Sequence, residues 1–86
     1  MPQISRFFGI IIAMYFDEHN PPHFHAIYQE YEAEISINGF KVLNGNLPPR
    51  ALGLVTEWAN IHRTELTDNW DRIQEKQPPR KIKPLE

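Results

Sequence analysis

The chain has 86 residues and no cysteine, which allows a single domain but neither disulfides nor thiolate metal sites. Nine basic side chains against eleven acidic ones give a formal net charge of −2, without the basic excess typical of a general nucleic-acid binder. We therefore expect one domain over residues 1–77, a basic tail over residues 78–86, and a reducing compartment, the cytoplasm.

The first half of the chain has the pattern of antiparallel strands. Residues 7–16 are rich in isoleucine and aromatic side chains, which favours a strand, and the run is too short to span a bilayer. A turn with two prolines follows at 17–22. Residues 23–29 predict a second strand and residues 31–37 a third, whose side chains alternate between apolar and polar. Asn38 and Gly39 then form a hairpin signal before a returning strand at 40–43.

The second half of the chain predicts one long helix. It begins near Pro48, ends at about Glu75, and is terminated by Pro78 and Pro79. Apolar residues recur every three or four positions at Ala51, Val55, Trp58, His62, Leu66, Trp70 and Ile73. A helix of about 40 Å exceeds a seven-residue strand of about 23 Å. We expect its last turns to overhang the sheet, or a kink near Thr67, and we expect Gly53 to mark a close approach to the sheet.

These elements predict an α+β fold, an antiparallel β-meander of three to four strands packed against one long C-terminal helix. An 86-residue domain buries little more than about 60% of its unfolded surface. A deep enclosed pocket is therefore not expected, and any site should lie in a shallow groove or on a strand face.

Three histidines form the one group of residues in the sequence that could bind a metal or act in catalysis. His19, His23 and His25 lie within seven residues, and Asp17 and Glu18 adjoin them. His23 and His25 leave the same face of a strand with roughly 6.5–7 Å between their Cα atoms. Two such imidazoles can bind one zinc ion at about 2.1 Å each.

Three interpretations of this constellation stay open. In the first, His19, His23, His25 and an oxygen from Asp17 or Glu18 hold a divalent metal such as zinc. In the second, His23 and His25 act as a metal-free acid and base in catalysis. In the third, the histidines merely stabilise the turn or contact a partner. We expect His23 and His25 to point to solvent, with His19 within reach of them.

The chain also resembles a known family. The segments MPQISRFFGI at 1–10, MYFDEHNPPHFH at 14–25 and LPPRAL at 47–52 are similar to the bacterial domain of unknown function 4160, as are Trp58, His62, Arg63, Leu66, Asn69 and Trp70. The resemblance implies a small cytosolic protein, often encoded beside another small protein in a toxin–antitoxin-like pair. The motif residues that match are His19, Asn20, Pro21, Pro22, His23 and His25, and the family implies no catalytic role for them.

The expected function is therefore a protein-interaction module that binds a neighbouring small protein or a second copy of itself. The alternative is a small histidine-based or metal-dependent hydrolase or nuclease that uses His19, His23 and His25. A lesser possibility is contact with nucleic acid through Arg80, Lys81 and Lys83.

Overall fold

Five antiparallel strands follow one another in the sheet in the same order as in the sequence. The computed structural model describes residues 3–86. Its elements are β1 (Gln3–Phe7), β2 (Ile10–Ala13), β3 (His23–Tyr28), β4 (Tyr31–Ser36), β5 (Val42–Gly45), α1 (Pro49–Ile61) and α2 (Arg63–Gln74). The α+β class is confirmed, but the predicted three to four strands and one long helix are wrong.

The additional strand comes from a tight turn inside the apolar run at 7–16. Phe8 and Gly9 both have positive φ, at 50° and 78°, which is the backbone geometry of a two-residue hairpin turn. The run is therefore divided between β1 and β2. β1 also includes the residues from Gln3 to Arg6, most of which are polar. A glycine within an apolar run is a weaker turn signal than Asn-Gly, which is why the sequence did not separate the two strands.

The predicted long helix is interrupted at His62, not near Thr67. The backbone of His62 has φ −110° and ψ 30°, and its N–H donates to the carbonyls of Trp58 and Ala59. A straight helix over residues 49–74 would measure about 39 Å, whereas the longest extent of the molecule is 33 Å. The bend lets Trp58 in α1 and Leu66 in α2 both reach full burial.

The core lies between one face of the sheet and the two helices. Trp58 is completely buried there, against the rings of Phe7 and Phe24 at centroid distances of 5.4 and 6.1 Å. Because Phe24 faces this core, its neighbours His23 and His25 leave β3 on the opposite face.

The C-terminal segment packs against the domain. Ile82 is 5% exposed, and its N–H donates to the Ile4 carbonyl on the outer edge of β1. The Asn69 side chain donates to the Arg80 carbonyl and accepts from the Arg80 N–H, at 2.9 and 2.8 Å. The segment therefore occupies the β1 edge of the sheet. None of the helices within residues 3–86 is both long enough and apolar enough to cross a membrane.

Candidate metal centre

His23 and His25 lie side by side on the sheet face opposite the core. Their ring centroids are 5.4 Å apart, and the residues are only 6% and 7% exposed. The expectation that they point to solvent is wrong, because two aromatic side chains cover them. The Tyr15 ring lies 4.5 Å from His25, and the Trp70 ring of α2 lies 5.3 Å from His23.

Glu18 reaches both histidines from the loop between β2 and β3. Its Oε1 contacts Nε2 of His25 and lies 3.2 Å from Nε2 of His23. The loop itself rests on the end of α2, where Gln74 Nε2 donates to the Glu18 carbonyl at 3.4 Å and Lys76 pairs with Asp17. The Glu18 side chain is 28% exposed, so the cluster is close to the surface.

Nδ1 of each histidine, the ring nitrogen that does not contact Glu18, has its own hydrogen-bond acceptor. Nδ1 of His23 lies 2.8 Å from the Pro21 carbonyl, and Nδ1 of His25 lies 3.1 Å from Glu32 Oε2. A carbonyl and a carboxylate accept hydrogen bonds, so we assign the proton of each ring to Nδ1. In a neutral imidazole with that tautomer, Nε2 carries a lone pair.

The three inner atoms of the cluster are consequently all electron-pair donors. Nε2 of His23, Nε2 of His25 and a carboxylate oxygen of Glu18 lie within 4.8 Å of one another. Neutral lone pairs directed at a carboxylate repel it, so the arrangement requires a proton or a metal cation among the three atoms. Two imidazole nitrogens and a carboxylate oxygen are ligand types that metal sites use, so these three residues could hold a metal ion.

Negative charge dominates the surroundings of the cluster. The ion-pair partners of His23 and His25 in the described chain are Glu18, Glu32 and Glu34, with Glu34 Oε1 at 3.9 Å from Nε2 of His23. Burial raises the pKa of Glu18, but the hydrogen bonds and positive charges that His25 and His23 supply when they are protonated outweigh it and hold that pKa below its usual value. Glu18 is therefore ionised at neutral pH and available as a ligand.

Tyr15 contributes a neutral side chain to the same face. Burial raises the pKa of its phenol, and the negative charges of Glu32 and Glu18 raise it further. Tyr15 therefore keeps its proton at neutral pH and serves as a cover for His25 and not as an anionic ligand.

The structure separates the residues that the sequence had grouped. It brings His23 and His25 together with Glu18, whereas His19 is exposed and lies outside the cluster. Asp17 is exposed, and the hydrogen bond and charge of Lys76 hold the pKa of its carboxyl below the usual value. The sequence offered Asp17 and Glu18 as equivalent oxygens, and only the fold distinguishes them.

Glu32, Glu34 and Trp70 were not recognised as neighbours of the histidines. His25 pairs with Glu34 across β3 and β4, and Glu32 lies two residues further along the same face. The two-residue connection between Tyr28 and Tyr31 sets this register. A hairpin drawn through that connection would have placed both glutamates beside the histidines.

The fold and the site together define a small α+β meander domain with a Glu–His–His cluster on the sheet face opposite its core. The family model for the domain of unknown function DUF4160 matches residues 9–71, and the chain belongs to this family. The matched range includes the whole cluster. No curated protein and no solved structure is significantly similar to the chain.

Proposed function

We propose that the protein binds one divalent transition-metal ion, zinc in the first instance, through Glu18, His23 and His25. The observation that carries the proposal is the convergence of three lone-pair donors, two of which are imidazoles whose Nδ1 atoms already have hydrogen-bond acceptors. The Pro21 carbonyl and the Glu32 carboxylate are the kinds of partner that orient histidine ligands and raise their basicity.

A three-ligand site of this kind suits hydrolysis. Catalytic zinc sites have three protein ligands and a water in the fourth position, and the metal lowers the pKa of that water. Glu18, Glu32 and Glu34 carry more negative charge than one divalent ion neutralises. The charge therefore favours a neutral or cationic substrate over a polyanion, and a small metal-dependent hydrolase over a nuclease.

Calorimetric titration tests the metal site. At pH 7.5 we expect one zinc ion per chain with a dissociation constant on the order of micromolar or tighter, and no comparable binding of magnesium, which prefers an oxygen shell. Zinc affinity should fall at lower pH, because histidine binds metal in its neutral form. Zinc binding no tighter than millimolar at pH 7.5 would contradict the proposal.

A specific observation supports protein interaction as a second function. All four residues of β5 are exposed, including Val42 at 40% and Leu43 at 43%. In residues 3–86, β5 has β4 on one side and no strand on the other. An exposed apolar edge strand readily pairs with a strand of another chain. We propose that a neighbouring small protein of a toxin–antitoxin-like pair, or a second copy, adds a strand here in the cytoplasm.

Co-expression with the protein encoded next to this one tests that second proposal. Leu43→Lys places a charge on the edge strand and should reduce recovery of the complex at least about tenfold, since lysine on an edge opposes strand addition. Ile61→Lys is the matched control, because Ile61 is also exposed, at 64%, but lies at the end of α1. The proposal of strand addition at β5 would be contradicted by an equal loss of the complex in both variants. It would also be contradicted if the protein were strictly monomeric and did not bind the neighbouring protein.

A further inference from the structure

A cavity lies on the helix side of the sheet, away from the histidine cluster. It has a volume of about 420 Å³ and is lined by Phe8, Ile10, Tyr28, Pro48, Arg50, Ala51 and Leu54. None of these residues belongs to the cluster, and Tyr28 ends the strand that His23 begins. The volume falls in the range of about 300–1,000 Å³ that small-molecule sites have.

Phe8 stands at the rim of this cavity in an unfavourable conformation. It is 60% exposed, and its φ of 50° lies in the left-handed region. Asparagine or glycine would occupy this turn position with less strain. A large aromatic side chain that is both strained and exposed contributes little to folding, which points to a role in contacting a ligand.

Arg50 is the only charged residue among the described residues that line the cavity. It takes no part in the ion pairs between described residues, and the first turn of α1 contains no acidic residue. An apolar wall with one cation at its edge is complementary to a molecule that has a hydrocarbon body and a single negative end.

From these observations we infer that the cavity binds a small apolar monocarboxylate. The hydrocarbon part lies against Phe8, Ile10 and Leu54, and the carboxylate pairs with the guanidinium of Arg50. The occupant is a free acid and not a strand of a partner protein, because the strands that line the cavity, β2 and β3, each already have a neighbouring strand on both sides. This inference does not depend on the metal site.

Backbone amide NMR of the full chain, titrated with 4-phenylbutyrate in the presence of EDTA, tests the inference. We expect saturable shifts at Phe8, Tyr28, Arg50 and Ala51, with a dissociation constant of about 1 mM or below. The matched neutral probe, 4-phenylbutanol, should bind at least about tenfold more weakly, since it lacks the charge that Arg50 recognises.

Two variants and one control complete the experiment. Arg50→Gln should weaken 4-phenylbutyrate about tenfold and leave 4-phenylbutanol unchanged, whereas Arg6→Gln, a change at an exposed arginine outside the cavity, should alter neither. Phe8→Asn should raise the melting temperature and weaken both probes, because asparagine tolerates the turn but offers less apolar contact. The absence of saturable shifts, equal affinity for acid and alcohol, binding only of a peptide with an apolar C-terminal residue, or a lower melting temperature in Phe8→Asn would overturn the inference.

Discussion

Replacing Glu18 with glutamine should weaken zinc binding by at least about 100-fold, because a direct ligand is worth no less than the supporting residues of a metal site. Glutamine keeps the size of the side chain and can still contact Nε2 of His23 and His25, but it removes the negative charge. Calorimetric titration of both proteins at pH 7.5 measures the loss, and circular dichroism checks that the fold is kept.

Asp17→Asn is the matched control for this prediction. Asp17 precedes Glu18 in the sequence, but its exposed carboxylate pairs with Lys76. Zinc affinity should therefore stay within about twofold of the unmodified protein, since a screened surface pair contributes little. The double variant His23→Ala, His25→Ala should show no tight zinc binding. An equal loss in Asp17→Asn and Glu18→Gln, or unchanged binding in the double variant, would contradict the assignment of ligands.

Gly45→Ala should destabilise the protein by about 2–4 kcal/mol, the range of a strained backbone combined with a steric clash. Gly45 has φ +74°, and a Cβ built there would lie 2.1 Å from the Glu32 carbonyl oxygen. That oxygen also accepts the Asn46 N–H at 3.1 Å. Neither backbone can move without breaking the pairing of β4 and β5, so the clash is not easily relieved. Urea denaturation measures the change.

Gly53→Ala provides the opposite result in the same assay. Gly53 lies within α1, and nothing stands within 4 Å of the position that a Cβ would take. The expectation that it marks a close approach to the sheet is wrong. Alanine should therefore stabilise the helix by roughly 0.5–1 kcal/mol through its higher helix propensity. If Gly45→Ala cost less than about 1 kcal/mol, the β4–β5 junction would have to be more adaptable than its geometry indicates.

Local patterns in the sequence determined the parts of the fold that depend on a few consecutive residues. The strand period of two placed His23 and His25 on one face and Phe24 on the other, because successive side chains alternate in any extended chain. Pro48 marked the start of α1 because proline fits a first helical turn. These features depend on backbone geometry alone and needed no knowledge of distant contacts.

The bend at His62 and the turn at Phe8 and Gly9 were decided by tertiary packing. The apolar period continues through His62, so the sequence pattern is the same for a straight and a bent helix. A straight helix would extend beyond the molecule, whose longest dimension is 33 Å, whereas with the bend both Trp58 and Leu66 are fully buried. The Phe8–Gly9 turn likewise follows from pairing, because β1 and β2 each gain a partner when the run folds back.

The candidate site shows the same division. The sequence determined that two imidazoles share a strand face and that carboxylates lie next to them in the chain. It did not determine which carboxylate turns inward, because that depends on the path of the loop, in which Asp17 has a φ of 67° and the Glu18 carbonyl accepts from Gln74 of α2. The sequence also did not determine that the two histidines are buried, since Trp70 covers His23 from a position far along the chain. Such contacts are set by how the helix crosses the sheet, and no local pattern records that.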